Sequence, residues 1–560
     1  MKNLIFKKIK PLLFVLPLAL CSACGSARIE KPVINDYRSD YSPVFESKLP
    51  VISIASESKN NDFVTQPLSE AVKQQMLHWM DNVPNPSPWY ENCSVSVTDG
   101  EGKAFIENTS AKVKVRGNWT TTYDKKPLRI KFDKKQAMLG LNGGKEFKDW
   151  VLLALYKDWS LLRDASALYL SKMISPDYSS DFRLVEVYVN SQYWGVYLLA
   201  EQQQVKKGRL PVNEAEKNYK ATDIGYFMEF DGYYFSEENN FEIDYTGPIS
   251  DINGEPISFG LNKGYTIKSD IYSSEQKAFI SSYMNNLWKI CYEASYNNKY
   301  YEFNEDFTDI IESKSLTNAY DCISKVIDIN SLVNSYMIAE ITCDPDLFWS
   351  SFYMDVDFSA SGAKKLKFEA PWDFDSSLGN KNFCADGKGV YAGALSWDVN
   401  HQKRGTGNPW MMIFINCDWF QSLLRQKWAM IKKQDMHGKL IDFIDKSQSL
   451  YAQSFEQNLK RWQNIGSEKP GAFELCKEAV ECKSQADSCA YLKKWINSRF
   501  EFGGVDDEGV VGPVILLAYL YPPLPHLLFV LFPSCELKKL PQRPPKRRSG
   551  KSEEGDLENL

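Results

Sequence analysis

VEVYVNSQYWGVYLLAE, residues 185–201, decides how this chain folds. Val185, Val187 and Val189 alternate with Glu186 and Tyr188, and Val196 to Ala200 is an apolar run. The period of two, broken at Asn190-Ser191-Gln192-Tyr193, predicts two strands joined by a tight turn. Outward from this hairpin, residues 92–115 alternate in the same way around Asp99-Gly100 and Gly102, and Lys126 to Phe132 reads as another strand. Asp164 to Met173 has helical spacing. Past residue 270 the pattern turns helical, with apolar residues three and four apart in Glu275 to Glu293 and Ile329 to Glu340. Two strands, Ser351 to Val356 and Lys365 to Ala370, interrupt it, and helices resume from Trp410 to Arg499. A strand-rich front and a helix-rich back imply an α+β, two-lobed enzyme body with a cleft between its parts.

Composition narrows the chemistry. Of 560 residues, 43% are hydrophobic and 25% charged, which fits a folded, soluble body. The 14% aromatic content reads first as a large core and second as a binding face. A net charge of −6 with mixed signs argues against nucleic acid as the main partner. His78, His401, His437 and His526 lie far apart, so neither a histidine triad nor a zinc site is expected, and carboxylates and lysines must carry any chemistry. Cys476, Cys482 and Cys489 cluster late in the body; in an exported protein their pairing stays open.

The two ends differ from the body. Lys2, Lys7, Lys8 and Lys10 precede the short apolar run Leu12 to Leu20, the form of an export signal. Ser22-Ala23-Cys24 suits lipidation of Cys24, although Cys21 stands where a Leu is usual. The expected organisation is a signal over 1–24, a tether over 25–50, a body over 51–505 and an extension over 506–560. A lipid anchor would hold the body outside the cytoplasmic membrane. Val510 to Phe532 is strongly apolar and followed by Lys and Arg, which suits a membrane segment, but Pro513, Pro522, Pro523 and Pro525 would break a helix.

Three clusters could carry chemistry. Arg116-Gly117-Asn118-Trp119 and Thr120 to Thr122 precede Lys125, Lys126 and Lys131, a hydroxyl-rich turn beside cations that suits phosphate oxygens or forms a solvated basic hairpin. Asp344-Pro345-Asp346 and Pro371-Trp372-Asp373-Phe374-Asp375 are acidic loops, each at the end of an element. They could converge on a divalent metal, serve as caps and turns, or form a carboxylate pair for glycoside hydrolysis.

Several of these stretches, taken in order, resemble the CotH kinase family. They are Arg116 to Asn118 with residues 125–132, Trp150 to Asp164, the hairpin at 185–201, Gly225 to Asp231, Ser350 to Met354, residues 371–375 and Asn408 to Trp410. The resemblance spans roughly residues 50–500 and implies an atypical protein-kinase-like fold that moves the γ-phosphate of ATP onto Ser or Thr of proteins, as in spore coats. It implies Lys131, or Lys126, as the strand lysine on the phosphates, with Arg116 and Asn118 beside it. Glu201 would meet the adenine, Asp346 would serve as the catalytic-loop aspartate, and Asp373 with Asp375 would hold Mg2+ or Mn2+. The family pattern has Asn five residues after the catalytic-loop aspartate; Ser351 stands there and would be a weaker ligand. The partners implied are ATP, an extracytoplasmic protein acceptor and the membrane. The alternative is a catalytically inactive surface-binding or adhesion lipoprotein.

Overall fold

The computed structural model describes residues 41–66, 88–174, 177–245, 247–256, 263–382, 386–394 and 407–502. The export signal with Cys24, the tether up to residue 40 and the 506–560 extension lie outside the described residues. Tyr41 donates to Asp181 Oδ1 at 2.7 Å and Phe45 packs on Phe443 and Tyr451, so contacts with the body begin before Val51.

The front of the chain closes into a seven-stranded barrel. Its strands are β1 (Val51–Ser56), β2 (Glu91–Thr98), β3 (Ala104–Val115), β4 (Leu128–Gln136), β5 (Phe147–Leu153), β6 (Phe182–Val189) and β7 (Gln192–Glu201). They run in the order β1-β2-β3-β4-β5-β7-β6, and a parallel pairing of β1 with β6 closes the ring. Alternation decides what fills it: Ile52, Ile54, Val95, Val97, Val113, Ile130, Trp150 and Val187 are fully buried in one cluster. The quoted hairpin forms as its pattern predicts, with Asn190 and Ser191 both at positive φ (48° and 64°), the two-residue turn that matches strand twist.

A second sheet follows. It contains β8 (Gly225–Phe230), β9 (Asn240–Glu242), β10 (Gly264–Ile267), β13 (Phe352–Asp357) and β14 (Lys367–Phe368), in the order β14-β13-β8-β10-β9. Tyr301–Phe303 and Ile310–Glu312 (β11 and β12) make a small separate ribbon. The helices of eight residues or more are α1 (Arg163–Ile174), α2 (Ser274–Tyr296), α3 (Ala319–Val326), α4 (Ile329–Thr342), α5 (Asp418–Lys433), α6 (Met436–Trp462) and α7 (Gln485–Phe502). A capping box of Ser273 and Gln276 starts α2, and Asn318 and Asp328 cap α3 and α4. Strand-rich front and helical back are both as expected; the closed barrel and the sheet around β8 are additions. None of the described helices is long and apolar enough to cross a membrane. The eight cysteines among the described residues are free thiols.

Helix α6 locks onto the hairpin. Asn458 Oδ1 accepts from Val196 N at 3.0 Å and Lys125 Nζ at 2.9 Å, and Trp462 Nε1 donates to Trp194 O at 2.7 Å. Gly195 sits between them at φ +124°, where a Cβ would lie 2.6 Å from Asn458 Oδ1, so the close approach requires glycine.

Nearby, α5 buries Lys427, whose Nζ donates to Ile174 O at 3.0 Å. Burial holds this amine down to about 6. The unfolded chain therefore binds a proton that the folded chain lacks between about pH 6 and pH 10, so stability rises with pH across that window. Lys427→Met is expected to remove a slope of up to about 1.4 kcal/mol per pH unit. Urea unfolding of both proteins on either side of neutral pH measures it.

Candidate functional site

A cleft of about 1070 Å³ is lined by the ends of β3, β4 and β5 and by residues of β8 and β13, together with the loops after α4 and β14. The barrel supplies Arg116, Arg129 and Lys157; the second sheet supplies Phe227, Glu229 and Tyr353. Pro345–Phe348 is a 3-10 turn whose entry is fixed by Asp344, which accepts from Asp346 N at 3.1 Å. The turn presents Asp346 to the cleft. Ser351 follows at φ +57°, held by Glu229 Oε1, which accepts from Ser351 N at 2.9 Å. Glu229 Oε2 is itself 2.8 Å from Lys268 Nζ.

The loop after β14 is held from α1. Asp164, in the first turn of that helix, accepts from Phe374 N at 2.8 Å. Asp373 just before it takes φ +66°, a conformation costly for a residue with a Cβ. Its Oδ2 lies 3.5 Å from Ser351 Oγ, so the two loops meet. Beneath the cleft, Arg163 Nη1 donates to Asp158 Oδ1 at 2.6 Å with both side chains fully buried, and Arg163 Nε reaches Leu378 O. The positive φ of Asp373 persists only where surrounding packing over-determines it.

Charge gathers here. Lys157 Nζ lies 3.1 Å from Asp375 Oδ1 and 3.4 Å from Glu474 Oε2, all three side chains being nearly buried. Burial opposes the charge on Lys157, but Asp375, Glu474 and, farther off, Asp346 outweigh it and hold the amine well above its usual range. Burial first, then repulsion from Asp346, pushes Asp373 up to about 6, with Lys157 and Arg116 pulling back. Burial likewise pushes Asp375 up to about 6 despite Lys157. Asp346 is raised mainly by burial, with Lys381 and Lys157 opposing. Glu474 is oriented by Trp119 Nε1 at 2.7 Å and by the Tyr123 hydroxyl.

Arg116, Asn118, Asp346, Ser351, Asp373 and Asp375 therefore share one cleft. Three other expected residues do not line it. Lys131 points outward from β4 and is exposed, because the alternation that sends Ile130 and Phe132 into the barrel sends it to solvent. Lys126 is buried and spent on the carbonyls of Thr121 and Tyr123, each at 2.7 Å, so it shapes the turn. Glu201 is buried between Arg209, Asn142 Nδ2 and Asp181 N; the residues that reach the cleft are the next ones, Gln202 to Gln204. Among the acidic groups sits Lys157, with Lys381 3.8 Å from Glu474 Oε2 beside it. The signal for Lys157 was its place in the Trp150 to Asp164 stretch beside Asp158, whereas Glu474 had none.

A family model described as CotH kinase protein matches residues 113–502, more than half of the chain. The chain belongs to the CotH kinase family. No curated protein matches it. In this CotH-family chain the match opens inside β3 and ends with α7, so every cleft residue named above falls within it, while β1 and β2, which complete the barrel, precede it.

The donor set suits a hard divalent cation. Asp346, Asp373 and Asp375 are oxygen donors that penalise one another's ionisation, which a cation would relieve. No group of three or more His, Cys, Asp or Glu side chains among the described residues is placed to hold a metal ion by itself. An open site of one or two carboxylates completed by phosphate oxygens and water is the form magnesium takes with nucleotides. Lys157→Met would leave two buried carboxylates without their main cation. A loss of about 3 kcal/mol in urea unfolding is expected, and a loss under about 1 kcal/mol would remove Lys157 from the network.

Proposed function

We propose that this chain is an exported, ATP-dependent protein kinase of atypical two-lobed form, held outside the membrane through lipidated Cys24. The observation that carries this reading is the convergence of Asp346, Asp373 and Asp375 around Lys157 in one cleft with Arg116. Asp373 and Asp375, with Ser351 beside them, would hold Mg2+ or Mn2+. Such an ion would neutralise charge on the phosphate oxygens.

The residues divide the work. Arg116 stands over the Trp372 ring at 5.7 Å, fixed in direction, and would meet phosphate oxygens together with Arg129. Asp346 would orient a Ser or Thr hydroxyl and accept its proton as the hydroxyl oxygen bonds to the γ-phosphorus. The bond from that phosphorus to the bridging oxygen then breaks and ADP leaves with the electron pair. Lys157 keeps Asp375 ionised and in place. A second reading, a surface-binding lipoprotein that keeps the fold without chemistry, is favoured by Ser351 in place of the family's Asn. Thermal unfolding of the full chain with ATP and magnesium separates the two. A kinase gains stability on binding and loses that gain in Arg116→Ala; no shift with any nucleotide supports the second reading.

A further inference from the structure

Two adjacent rungs of the barrel set like charges opposite one another. Across β3 and β4, Lys112 is in register with Lys131, and Lys114 with Arg129. Like charges directly opposite in a sheet are destabilising. Asp149, opposite Lys131 and 2.7 Å from Arg129 Nη2, offsets only part of this. Asn92 and Tyr90 flank the cations on the β2 side: Asn92 is in register with Lys112, and Lys114 Nζ stands 4.8 Å over the Tyr90 ring. Asp133, two residues past Lys131, ends the strip.

The strip runs into the cleft. Arg116 and Arg129 line it, Lys114 is half-buried, and Lys112 and Lys131 are exposed. Arg116 lies four positions after Lys112, just past the end of β3, about 13 Å at the rise of a strand. Five cations thus form a row that leads from the cleft into solvent, on a protein whose net charge is −6. A nucleotide whose phosphates meet Arg116 leaves Lys112 and Lys131 unused. An extended polypeptide leaving the cleft would pass over them, and about four of its residues match the length of the row.

We propose that this strip docks an acidic segment of the protein acceptor, next to the hydroxyl that is phosphorylated. This rests on the kinase reading above and names its substrate class: Ser or Thr followed or preceded by a run of anionic side chains. Carboxylates and phosphoserines share the required chemistry.

The test compares the full chain with the double variant Lys112→Glu, Lys131→Glu, whose two sites are exposed and outside the cleft. Fluorescent serine peptides flanked by Asp, by phosphoserine or by Lys are titrated without nucleotide, and thermal unfolding checks that the variant is folded. Binding of the Asp-flanked peptide is expected to weaken with salt and to fall about ten-fold or more in the variant. The phosphoserine peptide binding where the Asp peptide does not would assign the strip to phosphorylated segments. In transfer assays the variant is expected to lose the same factor in kcat/KM for the acidic peptide, with KM for ATP unchanged. Equal binding of acidic and basic peptides, a KM for ATP that rises in step, or phosphatidylglycerol vesicles binding where no peptide does would each overturn the proposal. Charge-dependent peptide binding with no phosphate transfer would keep the docking strip and sink the kinase reading; transfer without charge preference would do the reverse.

Discussion

Asp373→Asn is expected to lower phosphate transfer about a thousand-fold or more, while the protein stays at least as stable as wild type at pH 7. The two halves of this expectation have one cause. Asp373 carries a charge that burial and Asp346 penalise, on a backbone at φ +66°. The fold gains nothing from that charge, so the neutral, nearly isosteric amide relieves a cost. If the carboxylate were instead a structural turn residue, Asn would leave function intact. Transfer assays and urea unfolding on the same preparation decide it: unchanged transfer would remove Asp373 from the site, and a stability loss above about 2 kcal/mol would make it structural.

The largest stability loss is expected outside the cleft lining, at Arg499→Met. Arg499 Nη2 lies 2.6 Å from Glu340 Oε1 with both side chains fully buried, and Arg499 Nε also donates to Glu340 O at 3.0 Å. The Glu340 carboxylate accepts from Tyr391 N and Ala392 N as well. The pair therefore ties α7 to the end of α4, the helix that leads into Asp344 and Asp346. Removing the guanidinium leaves a buried carboxylate without its counter-charge, which costs about 3–5 kcal/mol. Arg499→Met with Glu340→Gln should recover part of that loss, since the orphaned charge is gone. Urea midpoints of the single and double variants measure both; a loss below about 1 kcal/mol in the single variant would contradict the account.

Much of this was legible in the sequence where the information is local. The hairpin at 185–201, the β2–β3 pair and helices α2 and α4 each carry their own period and their own turn or cap. The closed barrel was not legible, because its seam pairs Val51 with Glu186, residues far apart with no shared pattern. The sheet around β8 was hidden because Gly225–Phe230 is buried on both faces and shows no alternation. Lys365 to Ala370 reads as a full strand, yet only Lys367 and Phe368 pair with β13, Leu366 makes a single bridge to Ile327, and Ala370 at φ +57° turns the chain out of the ladder toward Asp373.

The site divides in the same way. The acidic loops were visible because Asp and Pro cluster at the ends of elements. The cations were harder, since several lysines sit near the phosphate-suited turn and only the side of the strand tells them apart. Alternation puts Lys131 outside, and two carbonyls occupy Lys126. Lys157 finds its role through Glu474, 317 positions away, a relation that exists only after folding.

The measurement that tests the central claim most directly is incubation of the full chain with γ-labelled ATP and magnesium or manganese, beside Asp346→Asn and Asp373→Asn. The account predicts label on the chain or on an added protein acceptor for the wild type and its loss in both variants. Equal labelling of all three proteins, or no label together with no nucleotide binding by the wild type, would contradict it.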